Sequence, residues 1–126
     1  MKTAFLFPGQ GAQSVGMGKD IYDNFEEARE IYKKAEDVTG IDVKGLCFEG
    51  PEEELMKTEN TQIAILTTSL AILSVLEKYN IKAEMTAGLS LGEYTSLIYG
   101  GYLTIEEGMK LIKKRGYYMG NFLPKQ

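Results

Sequence analysis

The sequence predicts an α/β fold in which a partial parallel sheet is flanked by helices. Two short apolar runs, residues 2–7 and 83–88, have the composition of buried strands and are separated by long helical stretches. Parallel strands require crossover connections of this kind. A parallel sheet normally has both faces covered and neighbours beside its central strands. Two strands do not meet that requirement, so we expect this chain to hold only part of its fold.

Local signals in the first half of the chain predict one strand and two helices, the first of them with a break. The run at 2–7 ends at a proline and a glycine, which predicts a strand followed by a tight loop. Apolar residues recur at three- and four-residue steps through residues 18–39, which predicts an amphipathic helix with a break near Asn24 and a stop at Gly40. The next segment is irregular, and Pro51 followed by three glutamates predicts a short helix.

The second half is predicted as helix, strand, helix, helix. Residues 60–79 are apolar on most sides but rich in Thr and Ser, which favours a buried helix over a membrane span. The strand candidate at 83–88 leads directly into a helix that ends at a pair of glycines, within residues 89–101. Thr104 and Glu107 have the spacing of a capping box and predict a last helix that runs to about Gly120.

Size, charge and cysteine content limit the classes of function. A length of 126 residues matches a single domain. A composition of 44% hydrophobic and 25% charged residues excludes a mainly disordered chain. Eighteen acids against fourteen bases argue against binding to nucleic acid or to an anionic membrane. Cys47, the single cysteine, cannot form an internal disulfide, and the N-terminus lacks a secretory signal. We therefore expect a cytoplasmic protein.

The chain contains no histidine. Histidine is the side chain most often used as a general base near neutral pH, so any serine or cysteine nucleophile needs a base from elsewhere. The acidic residues are scattered without histidine or paired cysteine, so no metal site is predicted.

The main chemical motif is Gly88-Leu89-Ser90-Leu91-Gly92, which fits G-x-S-x-G and lies between a predicted strand and a predicted helix. In that context the motif forms a nucleophile elbow, a strained turn that exposes the serine hydroxyl. The same turn places the amide of Leu91 at a helix N-terminus, where it can donate to a developing oxyanion. The alternative is a glycine-rich turn without chemistry.

Two other features have both a functional and a plain structural interpretation. The loop PGQGAQ, residues 8–13, fits neither of the two motifs that bind nucleotide phosphates, the dinucleotide-binding G-x-G-x-x-G and the P-loop. It is therefore either a loop whose amides face a ligand or a simple connection. Arg115 ends a KKR run and is either a solvated residue near a helix end or a guanidinium fork for a substrate carboxylate.

Four motifs together resemble the malonyl-CoA:acyl-carrier-protein transacylases, which include the acyltransferase domains of fatty-acid and polyketide synthases. They occur in the family's order and span nearly the whole chain: FPGQGAQSVGMG at 7–18, NTQ at 60–62, GLSLGEY at 88–94 and Arg115 in KKRGYYM. The resemblance implies that residues 1–126 are the N-terminal part of the large α/β acyltransferase subdomain, and that the ferredoxin-like subdomain lies outside the chain.

The resemblance also implies a ping-pong mechanism and assigns five residues. Ser90 would attack malonyl-CoA and carry the malonyl group as an ester before transfer to the phosphopantetheine thiol of an acyl carrier protein. The amides of Gln10 and Leu91 would form the oxyanion hole, and Arg115 would pair with the malonyl carboxylate. Gln62 would line the pocket or position a loop, or alternatively cap a helix. Malonyl-CoA is a substrate in this scheme, and no cofactor is implied.

The sequence departs from the family pattern at three points. The family's catalytic histidine has no counterpart here, Leu89 stands where histidine usually precedes the serine, and Ile63 stands where proline commonly follows NTQ. Because the base is missing, we expect little turnover by this chain alone. We also expect the chain to bind a complementary C-terminal chain or to self-associate. A non-catalytic fragment or binding module and an α/β-hydrolase-type esterase stay open as alternatives.

Overall fold

A computed structural model describes residues 2–122 of the chain. Within this range two strands and six α-helices follow one another, with one π-helical turn at Gly45–Glu49 between the second and third helices. Their bounds are β1 Ala4–Phe7, α1 Lys19–Asn24, α2 Glu26–Thr39, α3 Glu52–Leu55, α4 Thr58–Lys78, β2 Met85–Gly88, α5 Gly92–Tyr99 and α6 Ile105–Phe122.

The two strands pair in parallel, as the sequence predicts. Ala4 lies opposite Met85 and Phe7 lies opposite Gly88. Both strands therefore end at the same edge of the sheet, which brings the loop after β1 next to the turn after β2. This is the edge at which ligands bind in open α/β sheets.

The predicted break in the first helical region is confirmed at Phe25. This residue is extended, with φ −134° and ψ 122°, and separates α1 from α2. Gly40 then ends α2 in the left-handed conformation at φ 74°, a position that glycine occupies without a Cβ clash. The short helix predicted at Pro51 is α3.

The core is built around α4. All residues from Thr61 to Ala71 are buried, and the helix packs against α2 on one side and α6 on the other. By length and composition α4 would also qualify as a membrane span. Its burial inside the chain fits the predicted core helix instead. The largest fully buried apolar side chains are Tyr32, Leu55, Ile63, Leu66, Leu91, Met109 and Ile112.

Large apolar side chains on the two strands are exposed to solvent. Leu6 on β1 is 77% exposed and Met85 on β2 is 59% exposed. A parallel sheet with such exposure lacks the cover that this class of sheet normally has. The structure thus agrees with the prediction of a partial α/β fold.

The last helix begins with the predicted capping box. The Glu107 amide donates to Thr104 Oγ1 at 3.1 Å, and the Thr104 amide donates to Glu107 Oε1 at 3.0 Å. The second bond holds the pKa of Glu107 below its usual value. Because the folded pKa is lowered, this contribution to stability is present above the ordinary glutamate pKa and is lost as the pH falls through the folded pKa.

Thr104→Ala should lower the free energy of unfolding by about 1 kcal/mol at neutral pH, because it removes one half of the capping box. Urea denaturation followed by circular dichroism measures this change. Thr3→Ala is the control, because the Thr3 side chain donates no hydrogen bond among the described residues. An equal loss in both variants would contradict a specific capping role.

Candidate active site

A strained turn after β2 carries the candidate nucleophile. Ser90 has φ +57°, in the left-handed region that non-glycine residues rarely adopt. Its two glycine neighbours make the turn possible by letting backbones approach closely. A Cβ on Gly88 would collide with the backbone of Gly92, and a Cβ on Gly92 would collide with the carbonyl oxygen of Phe7. Ser90 therefore lies exposed at the tip of a strand-turn-helix, as the G-x-S-x-G motif predicts.

The loop after β1 packs against this turn. A Cβ on Gly9 would lie 2.5 Å from the carbonyl oxygen of Leu89 and 3.4 Å from the Cβ of Ser90. Because Gly9 has no side chain, the loop that carries Gln10 approaches Ser90 closely. That the amides of this loop face a ligand stays a prediction, beside the alternative of a simple connecting loop.

Two backbone amides beside Ser90 are free to donate. Within residues 2–122, the amides of Gln10 and Leu91 have no hydrogen-bond acceptor. Leu91 is the N-cap of α5, where the partial positive charge of the helix end favours an anion. Both amides are therefore free to donate to an oxyanion, and their role as an oxyanion hole stays a prediction.

Arg115 reaches from α6 into the site. Its Nη2 donates to Ser90 Oγ at 3.0 Å, and its Nη1 donates to Gln62 Oε1 at 2.8 Å. The interpretation of Arg115 as a solvated residue near a helix end is therefore wrong. Within the KKR run, Lys113 donates to the Thr39 carbonyl at 2.6 Å, and only Lys114 is exposed without a hydrogen bond to the described residues. A fixed positive charge beside the serine oxygen can stabilise negative charge there or bind a carboxylate.

Gln62 supports Arg115 from the core. It is fully buried in the second turn of α4, and its Nε2 lies 3.2 Å from Met119 Sδ. The capping alternative for Gln62 is wrong, because α4 begins at Thr58 and not at Asn60. Because Gln62 is held within a packed helix, its oxygen fixes the position of the guanidinium.

Sequence reasoning missed the contacts that Tyr94 and Thr58 make with predicted site residues. The guanidinium carbon lies 5.7 Å from the centre of the Tyr94 ring, within the range of a cation–π interaction. Tyr94 follows Ser90 by four residues, a spacing that could have placed it over the site. Thr58 accepts a hydrogen bond from Gln10 Nε2 at 3.3 Å and so ties the loop to α4. No sequence signal indicates that contact.

The arrangement combines a candidate nucleophile, two free amides and a cation, but it offers no histidine as a base, since the chain has none. Cys47 does not serve as a second nucleophile, because it is buried and burial raises the pKa of its thiol to about 11. Among residues 2–122 no three potential metal-ligating side chains lie together. What remains suits acyl transfer assisted by an external base.

Comparison with known proteins identifies the family. The model of the acyl transferase domain matches residues 4–125. The chain belongs to this family. The four motifs of the sequence analysis lie within the matched range, so the resemblance to acyltransferases is confirmed.

Similar curated proteins are malonyl CoA-acyl carrier protein transacylases. One from Bacillus subtilis is 47% identical over 98% of this chain, and one from Staphylococcus aureus strain MRSA252 is 44% identical over the same share. This chain covers 31% of the first and 39% of the second. It therefore spans only about a third to two fifths of the length of these relatives.

Solved structures show the same partial coverage. The malonyl CoA-acyl carrier protein transacylase of Clostridium perfringens aligns with a TM-score of 0.93 and 51% identity, over 99% of this chain and 40% of that one. A malonyl-transacylase solved in complex with a type II polyketide acyl-carrier protein aligns with a TM-score of 0.93 and 37% identity. The alignment covers 99% of this chain and 41% of the chain of that structure.

The strain at Ser90 gives a stability prediction. Ser90→Gly should be more stable than Ser90→Ala by about 1 kcal/mol, because only glycine occupies the left-handed region without a Cβ penalty. Both variants lose the hydrogen bond from Arg115, so that loss cancels in the comparison.

Chemical denaturation of the two variants measures the difference. Asn80, also at φ +57°, is the control position, because asparagine tolerates this conformation and the gap between Asn80→Gly and wild type should be smaller. Equal stability of Ser90→Gly and Ser90→Ala would show that the turn is not strained.

Proposed function

We propose that this chain supplies the nucleophile and carboxylate-binding part of an S-malonyltransferase that transfers malonyl from coenzyme A to an acyl carrier protein. The observation that carries the proposal is the contact between Arg115 Nη2 and Ser90 Oγ at 3.0 Å. This contact supports the proposal, because a guanidinium at that distance from the serine oxygen can pair with the carboxylate of an acyl group held there. The names of the similar proteins support the same reaction.

The first half-reaction forms an ester on Ser90. The serine oxygen attacks the thioester carbonyl, and the amides of Gln10 and Leu91 donate to the oxygen that becomes negative. Collapse of the intermediate breaks the carbon–sulfur bond and releases coenzyme A, whose sulfur takes the proton that the serine hydroxyl gave up. Malonyl remains bound to Ser90 Oγ.

The second half-reaction reverses the chemistry with another thiol. The phosphopantetheine thiol of the carrier protein attacks the ester carbonyl at the same oxyanion site. The carbon–oxygen bond breaks, the new thioester leaves, and Ser90 regains its proton from the attacking thiol. Splitting the transfer into these two steps is the advantage of a covalent intermediate.

Arg115 favours an acyl group that ends in a carboxylate. In the structure its guanidinium bonds to Ser90 and Gln62 and faces Tyr94, so it is held before substrate arrives. An incoming malonyl carboxylate offers it a stronger, charge-assisted partner than the neutral serine hydroxyl. An α/β-hydrolase-type esterase would not need this cation, so that alternative is the less favoured one.

The base must come from outside this chain. General-base catalysis contributes typically ~10²–10⁴-fold, so the chain alone should react slowly. We therefore propose that it acts as the N-terminal part of the large subdomain, completed by a complementary C-terminal polypeptide. A cytoplasmic location, where malonyl-CoA is met as a soluble substrate, is part of the same proposal.

The malonyl-ester proposal predicts a mass increase on Ser90. Incubation with malonyl-CoA, together with the remaining portion of the Clostridium perfringens transacylase, should add one malonyl group per chain. Intact-mass and peptide mass spectrometry locate it, and Ser90→Ala should abolish it. Without the added portion the labelling rate should fall by about 10²-fold or more.

Label on another residue, or equal label on Ser90→Ala, would rule out the serine ester. If no label appeared under any condition while the two polypeptides associated, the chain would instead be a non-catalytic binding module.

The contact between Gln62 and Arg115 predicts a change in selectivity. Gln62→Leu removes the acceptor of Arg115 Nη1, so the guanidinium is no longer held and the ratio of malonyl to acetyl labelling should fall by about tenfold. Gln62→Glu should lower malonyl labelling further, because its carboxylate competes for Arg115. Initial labelling rates with both thioesters measure the ratio.

Thr67→Val is the matched control on the same buried helix. The Thr67 hydroxyl has no hydrogen-bond partner among the described residues, so the ratio should stay unchanged. If Gln62→Leu slowed both thioesters equally, Gln62 would be a packing residue and not a positioning residue for Arg115.

A further inference from the structure

Arg115 brings its positive charge to the site without an acidic partner. It forms no salt bridge with any residue in the described range 2–122. Its hydrogen bonds go to the amide oxygen of Gln62 and the hydroxyl of Ser90, and both of these groups are uncharged. A carboxylate in either place would pair with the guanidinium and compete with an acidic substrate. The cation therefore has to be held in position by uncharged neighbours.

The two hydrogen bonds leave one motion of the guanidinium unrestricted. They fix the positions of Nη1 and Nη2, but the plane of the group can still tilt about the line that joins these two nitrogens. The ring of Tyr94 restricts this tilt. Its centre lies 5.7 Å from the guanidinium carbon of Arg115, which is attracted by the negative face of the ring. Because both groups are flat, this contact favours one orientation of the guanidinium plane.

The ring of Tyr94 is itself fixed relative to the serine turn. Tyr94 lies in the first turn of α5, and its amide donates to the carbonyl of Leu91 at 3.0 Å. Its side chain is half-buried and packs against the hydrophobic core. One short segment therefore carries both the candidate nucleophile, Ser90, and the ring that contacts the cation.

We propose that Tyr94 is a positioning residue that orients the guanidinium of Arg115 for the carboxylate of the acyl group, an inference that rests on the proposed function. Its effect is greatest after the serine has reacted. An ester oxygen is a poorer hydrogen-bond acceptor than a hydroxyl, because its lone pair is delocalised into the carbonyl. Arg115 Nη2 then exchanges Ser90 for the carboxylate, while Gln62 and Tyr94 keep the guanidinium in place.

Selectivity measures this role when the chain is completed by the remaining portion of the Clostridium perfringens transacylase. Tyr94→Leu removes the ring but keeps an apolar side chain. The ratio of malonyl to acetyl labelling rates should fall by about fivefold, with acetyl labelling nearly unchanged, because only malonyl ends in a carboxylate. Tyr94→Phe keeps the ring face and should keep the ratio. Tyr99→Leu is the matched control, since Tyr99 is half-buried on the same helix and its ring packs against Phe5.

A double-variant cycle tests whether Tyr94 acts through Arg115. Arg115→Leu removes the cation and should itself lower the ratio of malonyl to acetyl labelling. In that background Tyr94→Leu should lower the ratio no further, because a positioning residue has no effect once the group that it positions is gone. A fall of about fivefold in both backgrounds would show that Tyr94 acts on the pocket independently and would overturn the proposal.

An NMR experiment on the chain alone reports on the guanidinium without acyl transfer. The chain carries Ser90→Ala, which removes the hydroxyl as an acceptor. The two Nη groups of a held guanidinium give separate signals, whereas those of a freely rotating one give an average. The chain has only two arginines, so comparison with Arg115→Leu assigns the signals. We expect separate Arg115 signals with Tyr94 or Tyr94→Phe and averaged signals with Tyr94→Leu.

Circular dichroism on the same samples shows whether each variant is folded. Tyr94→Met, which also lacks the ring, takes the place of Tyr94→Leu if that variant does not fold, and the same results are expected from it.

The two readouts separate this inference from the proposed function. An unchanged ratio in Tyr94→Leu, a lost ratio in Tyr94→Phe or an equal loss in Tyr99→Leu would overturn the positioning role and leave the function in place. Averaged Arg115 signals in the chain that keeps Tyr94 would also overturn it. Separate signals that Tyr94→Leu averages, with no malonyl on Ser90 of the unvaried chain, would refute the proposed function and leave the contact between Tyr94 and Arg115 established.

Discussion

The close approach of three backbone segments at Ser90 is the constraint on which the site depends. Ser90 keeps its left-handed conformation because Gly88, Gly92 and Gly9 leave room for the strand, the helix and the neighbouring loop to touch. A non-glycine residue held in such a conformation costs about 1–3 kcal/mol, which the surrounding packing must offset. Leu91 supplies part of that packing, because it is fully buried directly after the exposed serine. The same turn therefore anchors itself in the core and projects a hydroxyl into solvent.

Electrostatics at the site follow from how α4 and α6 pack together. A Cβ on Gly116 would lie 3.0 Å from the Cα of Glu59, so the two helices approach closely just beside Arg115. This contact lets Gln62, fully buried in α4, reach the guanidinium carried by α6. A cation held from within the core loses little freedom when a carboxylate binds, which is the benefit of preorganisation. The buried amide thus connects core packing to the position of the guanidinium.

The sequence predicted much of this arrangement, because its signals are local. The elbow glycines, the capping box at Thr104 and the break near Asn24 each depend on residues close together in the chain. The contacts of Arg115 with Gln62 and Ser90 were beyond sequence reasoning, since they join residues 53 and 25 positions apart. Periodicity near the end of a helix cannot distinguish a solvated arginine from one that points inward. Resemblance to a family resolved that ambiguity, and the geometry then gave the physical reason for it.

The uncovered edge of the sheet lies next to the candidate active site. β1 directs the free groups of Ala4 and Leu6 into an apolar groove, and its carboxyl end leads to Gln10 beside Ser90. Leu89, 73% exposed beside the nucleophile, also lacks cover on that side. The edge of the sheet that lacks a neighbour therefore leads to the serine, and the fold is least covered where the site is most exposed.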